Sequence, residues 1–543
     1  MQNASNPPTN STYAFIRSAN ARVARTLEIS ATRLNTWRFP ILTVLSVLYF
    51  WTTAFRAEKK LYWLDEICTV QISGLANLQH IWTALIHGAD FNPPLIYLLT
   101  GLSQHVLGNT SLAARMPEII AFWIFCLSAY VFTYRFAGAS GALTAFLFPS
   151  ITIAYWYSYE ARPHALVLGF AGLAVLCWQR AQTSTHRPWW LIGLGLSLGL
   201  VLLSHAFGIV VFFPIAAAEI VDFCLTRRLR PGGWIAMICG GSAILVSLVL
   251  LRTLKAEHLT SSTRPGVGII VHTYLFILAP AGMVLGLTIS AIYLPWHKLI
   301  PSAPKGPPPW PPSTGKVTSS EVALMAGFVL IPFVSFLLAF LNRAPLFTRY
   351  GLEAVFGFAS ALALAAIRRP GFALAIPAII ALQYAYDFGS FRHQLHVEEP
   401  VTSLQIDASL SQYSKRYDWM ETAGHPNLPI VLIDDLDFSP TIYYAPPDLQ
   451  RRMIFGWNGN GGVNAAVYSQ IIRLTGAPGR VIPLNDVVGA YPSFFLFATN
   501  RQSTVRPLQD NDTLNQLLPA VQTITLLQAE ADMELFLVQS KRP

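Results

Sequence analysis

Asp65 and Glu66 stand side by side in the stretch YWLDEICTV, just beyond the first long apolar run of a chain with only 12% charged residues. A carboxylate at the edge of an apolar layer can take a proton from a substrate, because partial desolvation raises its pKa toward a useful value. The plainer reading is a pair of acids in the first turn of a following surface helix, where the helix dipole favours them. The two readings are compatible. Four further polar sets follow: Asp90, Asn92 and Arg115; Tyr159, Glu160 and Arg162; Ser204 and His205; Arg343, Arg349 and Tyr350. Together with the acidic pair they fall at one side of the apolar runs. That is the pattern of a site at a single water–membrane boundary, with substrates arriving from lipid and from water.

The elements that must position these residues are transmembrane helices. A chain of 543 residues that is 53% hydrophobic, with mean hydropathy of +0.45, is too apolar to be soluble. Apolar stretches of roughly 16 to 25 residues, each able to cross about 30 Å of hydrocarbon, are predicted at 39–57, 112–134, 139–157, 163–180, 189–203, 206–224, 233–251, 270–294, 319–341, 351–367 and 371–388. These are eleven spans, so the termini lie on opposite sides. Cations near span ends are retained in the cytoplasm. Placing the N-terminus inside puts Arg17, Arg22, Arg25, Arg33, Arg38, Arg135, Arg180, Arg187, Arg227, Arg228 and Arg230 there, and leaves fewer cations outside.

The resulting organisation is a cytoplasmic tail over 1–38, a membrane domain over 39–389, and an external domain over 390–543, where Asp and Glu return. A transit peptide is the weaker reading of the tail. The external loop 58–111 carries Ile72, Leu75, Leu78, Trp82, Leu85 and Ile86 at near-helical spacing, as for a surface helix, which Pro93 and Pro94 interrupt before a second one. In the last domain PNLPIVLIDDLDF, SFFLFAT and MELFLVQS read as strands and SPTIYYAPPDL as a short helix, giving an α/β fold. The proline-dense stretch 299–316 reads as an extended linker.

The net charge of +9 is accounted for by topology and contact with anionic lipid, and no nucleic-acid partner is expected. The five cysteines have neither metal nor disulfide spacing. Two patterns are set aside: Asp435-Leu-Asp437, which matches a metal–nucleotide-sugar motif on the wrong side of the membrane, and GWNGNGG at 456–462, which lacks the Lys of a phosphate loop.

The segments LDEICTV, FNPPLIYLLTGLSQHVLG, SLAARMPEII, YWYSYEARPHAL and LLSHAFG, in this order, resemble the membrane glycosyltransferases of the GT-C fold. The branch resembled is the bacterial one related to protein O-mannosyltransferases and to the lipid A aminoarabinose transferase. The likeness covers roughly residues 39–260 well and the remaining spans by pattern. It implies a polytopic helical bundle with an external domain in a bacterial inner membrane, a polyprenyl-phosphate sugar donor, and a lipid, polysaccharide or protein acceptor. By position Asp65 matches the catalytic acidic residue of that family, Glu66 its acidic neighbour, and Glu160 with Arg162 an EAR element near the site.

Transfer of a sugar from such a donor needs a base for the acceptor hydroxyl and positive charge for the departing phosphate. A phosphate leaving group needs no strong general acid, so one carboxylate suffices, and direct displacement inverts the anomeric carbon. Asp65 is the expected base, with Glu66 and Glu160 catalytic or acceptor-positioning. Arg115, Arg162, Arg349, Lys59, Lys60 and His205 are the expected phosphate ligands. Against these stand snorkelling for the cations, an ion pair for Glu160 and Arg162, and a structural role for His205. No cofactor or metal ligand set is expected, although Asp65, Glu66 and Glu160 could offer oxygens to Mg²⁺ or Mn²⁺. The reading from another class is a lipid or glycan transporter, for which symmetry-related repeats and polar groups near the midplane are expected. Neither is legible in this chain.

Overall fold

The computed structural model describes residues 33–256, 264–293, 316–367, 370–397, 410–422, 424–457, 462–499, 520–530 and 533–541. Most of the N-terminal tail, nearly all of the proline-dense stretch and the centre of GWNGNGG lie outside them. Among the described residues seven helices are long and apolar enough to cross a membrane, and the pair Ser319–Val329 and Ile331–Asn342, bent by 56°, adds an eighth if counted as one span.

The first is α1 (Arg38–Lys59), and three shorter helices follow it outside the bundle: α2 (Leu64–Ser73), α3 (Leu78–Ile86) and α4 (Leu95–Leu107). The single surface helix expected after the acidic pair is thus two. The break falls at residues 74–77, where the side chain of Asn77 accepts a hydrogen bond from the His80 N–H at 3.0 Å and starts α3 afresh.

Two predicted spans, 112–134 and 139–157, meet inside α5 (Ser111–Leu147) at Gly138, whose φ of 64° and ψ of −171° are not helical. Glycine adopts this conformation without a side-chain penalty. The chain turns back there, which is why Arg115 near the start of α5 and Ala161 beyond its end both bond the same carboxylate, Glu66. The return strand of this hairpin finishes as a 3-10 helix over Ile153–Tyr159.

Next comes α6 (His164–Thr183), which packs on α5 backbone to backbone: a Cβ at Gly169 would lie 2.5 Å from the Ala121 carbonyl oxygen. Small residues at such crossings are what a bilayer selects, since apolar burial gives helices no reason to prefer each other over lipid. Spans expected to be nearly clean of charge hold buried acids, Glu118, Glu219, Glu321 and Glu353, and the first two take hydrogen bonds from a neighbouring helix. Glu118 on α5 accepts from the Leu166 N–H at 2.9 Å, in the first turn of α6. Glu219 accepts from Trp178 at 2.9 Å and Gln182 at 3.2 Å.

The C-terminal part contains a six-stranded sheet, β1 (Ile430–Leu432), β2 (Met453–Trp457), β3 (Arg480–Pro483), β4 (Ser493–Thr499), β5 (Val521–Glu530) and β6 (Met533–Ser540), in the order β3-β2-β1-β4-β6-β5. Its centre is parallel, with Val431 beside both Ile454 and Leu496, and β5 and β6 are antiparallel additions. Helices Asp435–Tyr444 and Gly462–Thr475 face α2, so that Leu64, Cys68 and Ile72 share one core with Phe438, Tyr468 and Ile471. The composition change near 390 falls within the helix Pro370–Val397. In the Asp-Leu-Asp pattern, Asp437 is buried against Arg416 at 2.7 Å and Asp435 accepts from Asn464 at 2.5 Å.

Candidate active site

Successive residues on a helix point about 100° apart, and α2 uses this to send its two acids to different places. Both acids stand in the first turn of α2, as the plainer reading of the sequence has it, and the residue preceding the helix is Trp63, with no side chain hydrogen-bonded to the helix start. Glu66 points into the protein and is fully buried. It accepts from Arg115 Nε at 2.7 Å and Nη2 at 2.9 Å, from Lys60 at 3.2 Å and from the Ala161 N–H at 2.8 Å.

Arg115 spends its remaining donors on carbonyls: Ala57 at 2.5 Å, Lys60 at 2.7 Å and Leu61 at 3.1 Å. A guanidinium has five N–H bonds, and all are committed. Lys60 also reaches Glu160 at 2.9 Å, whose same oxygen accepts from Trp156 at 2.5 Å. Burial alone would raise the Glu66 carboxyl; Arg115, Lys60 and the Ala161 N–H outweigh it and hold the group low and ionised. Glu160 is raised instead, by burial first and by Glu66, against the single cation Lys60.

Asp65 points the other way, and its side chain keeps 25% of its exposure. Arg162 Nη2 stands 3.6 Å and Arg349 Nη1 4.0 Å from its Oδ2. Arg162, on the turn before α6, is fixed from behind by Asp90 at 2.5 Å and by Thr69 and the Asp65 carbonyl at 3.3 and 3.2 Å. Burial pushes the Asp90 carboxyl up, but Arg162 and the Phe91 N–H bring it below its ordinary value. The Nε–H groups of Arg162 and Arg349 are both buried without a hydrogen-bond partner among the described residues. Nearby, His205 accepts the Phe207 N–H at Nδ1 over 3.1 Å, which leaves its proton on Nε2, and its ring lies 5.0 Å from that of Tyr350 and 5.6 Å from that of His164. Burial, then Arg349 and Arg162, bring the imidazole down to about 3, so it is neutral.

The residues singled out from the sequence therefore divide. Arg162 and Arg349 approach the partly exposed Asp65, and His205 shares a small cleft with Arg349; Glu66, Arg115, Lys60 and Glu160 form a separate buried cluster; Lys59 is exposed and in neither. The three carboxylates that could share a cation do not converge, since Lys60 lies between Glu66 and Glu160. Among the described residues no group of three His, Cys, Asp or Glu has the geometry of a metal site. Asp90 and Tyr350 stand among the polar sets that the sequence places at the boundary, without individual roles; Thr69, Trp156 and His164 are additions from the structure. Of these three Trp156, four residues before Glu160, has a local signal; Thr69 and His164 meet Arg162 and His205 from segments far apart in the chain.

The C-terminal sheet domain completes the enclosure. Tyr444 accepts the Tyr62 N–H at 2.7 Å, and Tyr62 in turn lies under Arg115, whose guanidinium carbon is 4.8 Å from the ring centroid.

Residues 92–252 match the family model described as dolichyl-phosphate-mannose-protein mannosyltransferase. No curated protein matches the chain in sequence. Among solved structures, the ArnT of Cupriavidus metallidurans in its apo state is similar with a TM-score of 0.54 and 12% identity, covering 91% of this chain and 97% of that one. The same protein bound to undecaprenyl phosphate is similar with a TM-score of 0.53, at the same identity and coverage. This chain is a multi-pass membrane protein of the GT-C glycosyltransferase fold, similar over residues 92–252 to the protein mannosyltransferase family.

Proposed function

We propose that the protein is an integral-membrane glycosyltransferase. It moves a sugar from a polyprenyl phosphate to a hydroxyl of a lipid, polysaccharide or protein acceptor, on the extracytoplasmic face of a bacterial inner membrane. The observation that carries this reading is Asp65: a partly exposed carboxylate flanked by two arginines, each with a buried N–H that lacks an acceptor. An unpaired buried donor is costly, so an anion arriving there gains more than it would at a solvated surface. The undecaprenyl phosphate bound by the ArnT of similar fold has the chemistry such a pair would receive.

In the reaction so read, the acceptor hydroxyl gives its proton to Asp65 as its oxygen bonds to the anomeric carbon. The bond from that carbon to the phosphate oxygen breaks with its electron pair on the phosphate, and the configuration inverts. Arg349, Arg162 and the Nε2–H of His205 meet the charge that develops. Glu66, Arg115, Lys60 and Glu160 hold α2 and the turn before α6 in register, so Asp65 and Arg162 face each other; they position and do not touch substrate.

The test is lipid extraction from cells lacking the protein, complemented with wild type or Asp65→Asn at equal membrane levels. Accumulation of one polyprenyl-phosphate sugar in the null and the Asn strain, cleared by wild type, supports the assignment. Clearance by Asp65→Asn at the wild-type rate removes Asp65 from the mechanism, and a pool that never changes favours transport.

A further inference from the structure

The end of the bundle opposite Asp65 holds a cavity of about 620 Å³ that the transfer reaction does not use. Arg38 lines it from the start of α1, roughly 32 Å along the helix axis from Lys59. Arg135, Arg180 and Arg230 line it as well, over a floor that includes Tyr130 and Trp178. Two of the four arginines are balanced: Arg135 pairs with Glu321, and Arg230 with Asp222 at 3.2 Å. Neither Arg38 nor Arg180 has a carboxylate within ion-pair distance among the described residues; Arg38 donates only to Asn35 and lies over the Phe39 and Tyr134 rings. Among the described residues the cavity is left with two uncompensated positive charges. Tyr130, 5% exposed, lines it with a buried hydroxyl that has no hydrogen-bond partner among the described residues.

We propose that this cavity binds the phosphate of an anionic phospholipid from the leaflet on the Arg38 side. Cations and one unpartnered hydroxyl suit a phosphate oxygen set. The rest of the wall carries Gln, Thr and Ser side chains together with Phe39, Val131, Tyr134 and Leu225, and of these Phe39 and Leu225 are 64% and 66% exposed on the sides of helices long and apolar enough to cross a membrane. A free anion would gain nothing from that apolar edge, whereas an acyl chain lies along it. The chain's own segments 1–32 and 294–315 are poor occupants by charge: they carry Arg17, Arg22, Arg25, Lys298 and Lys305 against the single acid Glu28.

The full chain, purified in detergent and delipidated, is titrated with phosphatidylglycerol, phosphatidylcholine, glycerol 3-phosphate and inorganic phosphate, with bound molecules counted by native mass spectrometry. One phosphatidylglycerol per chain is expected to bind ahead of phosphatidylcholine and of both water-soluble phosphates. The double substitution Arg38→Gln with Arg180→Gln should weaken it roughly thirty-fold, at about a kilocalorie per arginine. Arg227→Gln with Arg228→Gln, which removes the same charge outside the cavity, should not. Val131→Trp, which fills the cavity and leaves its charge intact, should also abolish binding, and an unchanged thermal midpoint shows that each variant is folded. Equal weakening by the control pair, equal retention of phosphatidylcholine, or inorganic phosphate binding as tightly as the lipid each overturns the proposal.

Discussion

The network around Glu66 and the network around Asp65 share a helix, lie within one residue of each other in sequence, and are built from the same side-chain types. In the first, Glu66 and the backbone carbonyls take every N–H of Arg115, and the buried atom left without a hydrogen-bond partner among the described residues is an acceptor, Glu160 Oε2. In the second, two arginines approach a partly exposed aspartate at 3.6 and 4.0 Å and keep donors unspent. A buried ion network of the first kind holds its geometry because removing any member strands the others. The second kind has binding capacity because it is unfinished. Between these two networks residue type does not make the difference; whether the arginine donors are spent does.

The comparison breaks most sharply at the acids. Asp65→Asn is expected to lower transfer by about 10²- to 10⁴-fold, the usual worth of a general base, while the thermal midpoint stays at the wild-type value. Glu66→Ala should behave in the opposite sense: loss of about 3–5 kcal/mol of stability, because Arg115 and Lys60 are left buried and unpaired, seen as poor membrane accumulation and a lowered midpoint. If the two variants fail alike, the division between site and scaffold is wrong.

A finer contrast lies between cations. Arg349→Lys keeps the charge and loses the fork, and should weaken use of the donor by about tenfold through KM, whereas Lys59→Gln should change neither activity nor stability by more than about 0.5 kcal/mol. Steady-state kinetics against donor concentration separates the two.

Between these lies pH. His205 titrates near about 3 in the folded protein, against roughly 6.5 unfolded. The unfolded chain therefore binds the extra proton between those values, so the contribution of His205 to stability is complete above about 6.5 and is lost as pH falls toward 3. Transfer should show no histidine step between pH 6 and 8, and unfolding midpoints should decline below that window; a step near 6.5 that vanishes in His205→Asn would contradict the neutral imidazole.

Much of this architecture is legible locally. Runs of apolar residues mark the spans, because each must satisfy its own backbone in lipid, although seven helices, or eight with the bent pair, are long and apolar enough among the described residues against the eleven predicted; the prolines at 93 and 94 mark the start of α4, and SFFLFAT and MELFLVQS mark two strands. The turn at Gly138 falls in the gap between the predicted spans 112–134 and 139–157, whereas VQTITLLQAE gives no strand signal in the sequence because, pairing at the edge with β6, it lacks strict alternation. Glu118 and Glu219 look like exceptions to an apolar span until Leu166, Trp178 and Gln182 are seen to donate to them.

By itself the sequence determined that the chain lives in a bilayer and that Asp65, Arg162, Arg349 and His205 are of the right types for phosphate-linked transfer. Only the tertiary structure decided that Arg115, Lys60, Glu66 and Glu160 close upon one another. The physical reason is reach: Arg115 meets Glu66 across 49 residues and Lys60 meets Glu160 across 100. A hydrogen-bond donor's remaining capacity depends on every acceptor the fold brings to it, and no local pattern records that.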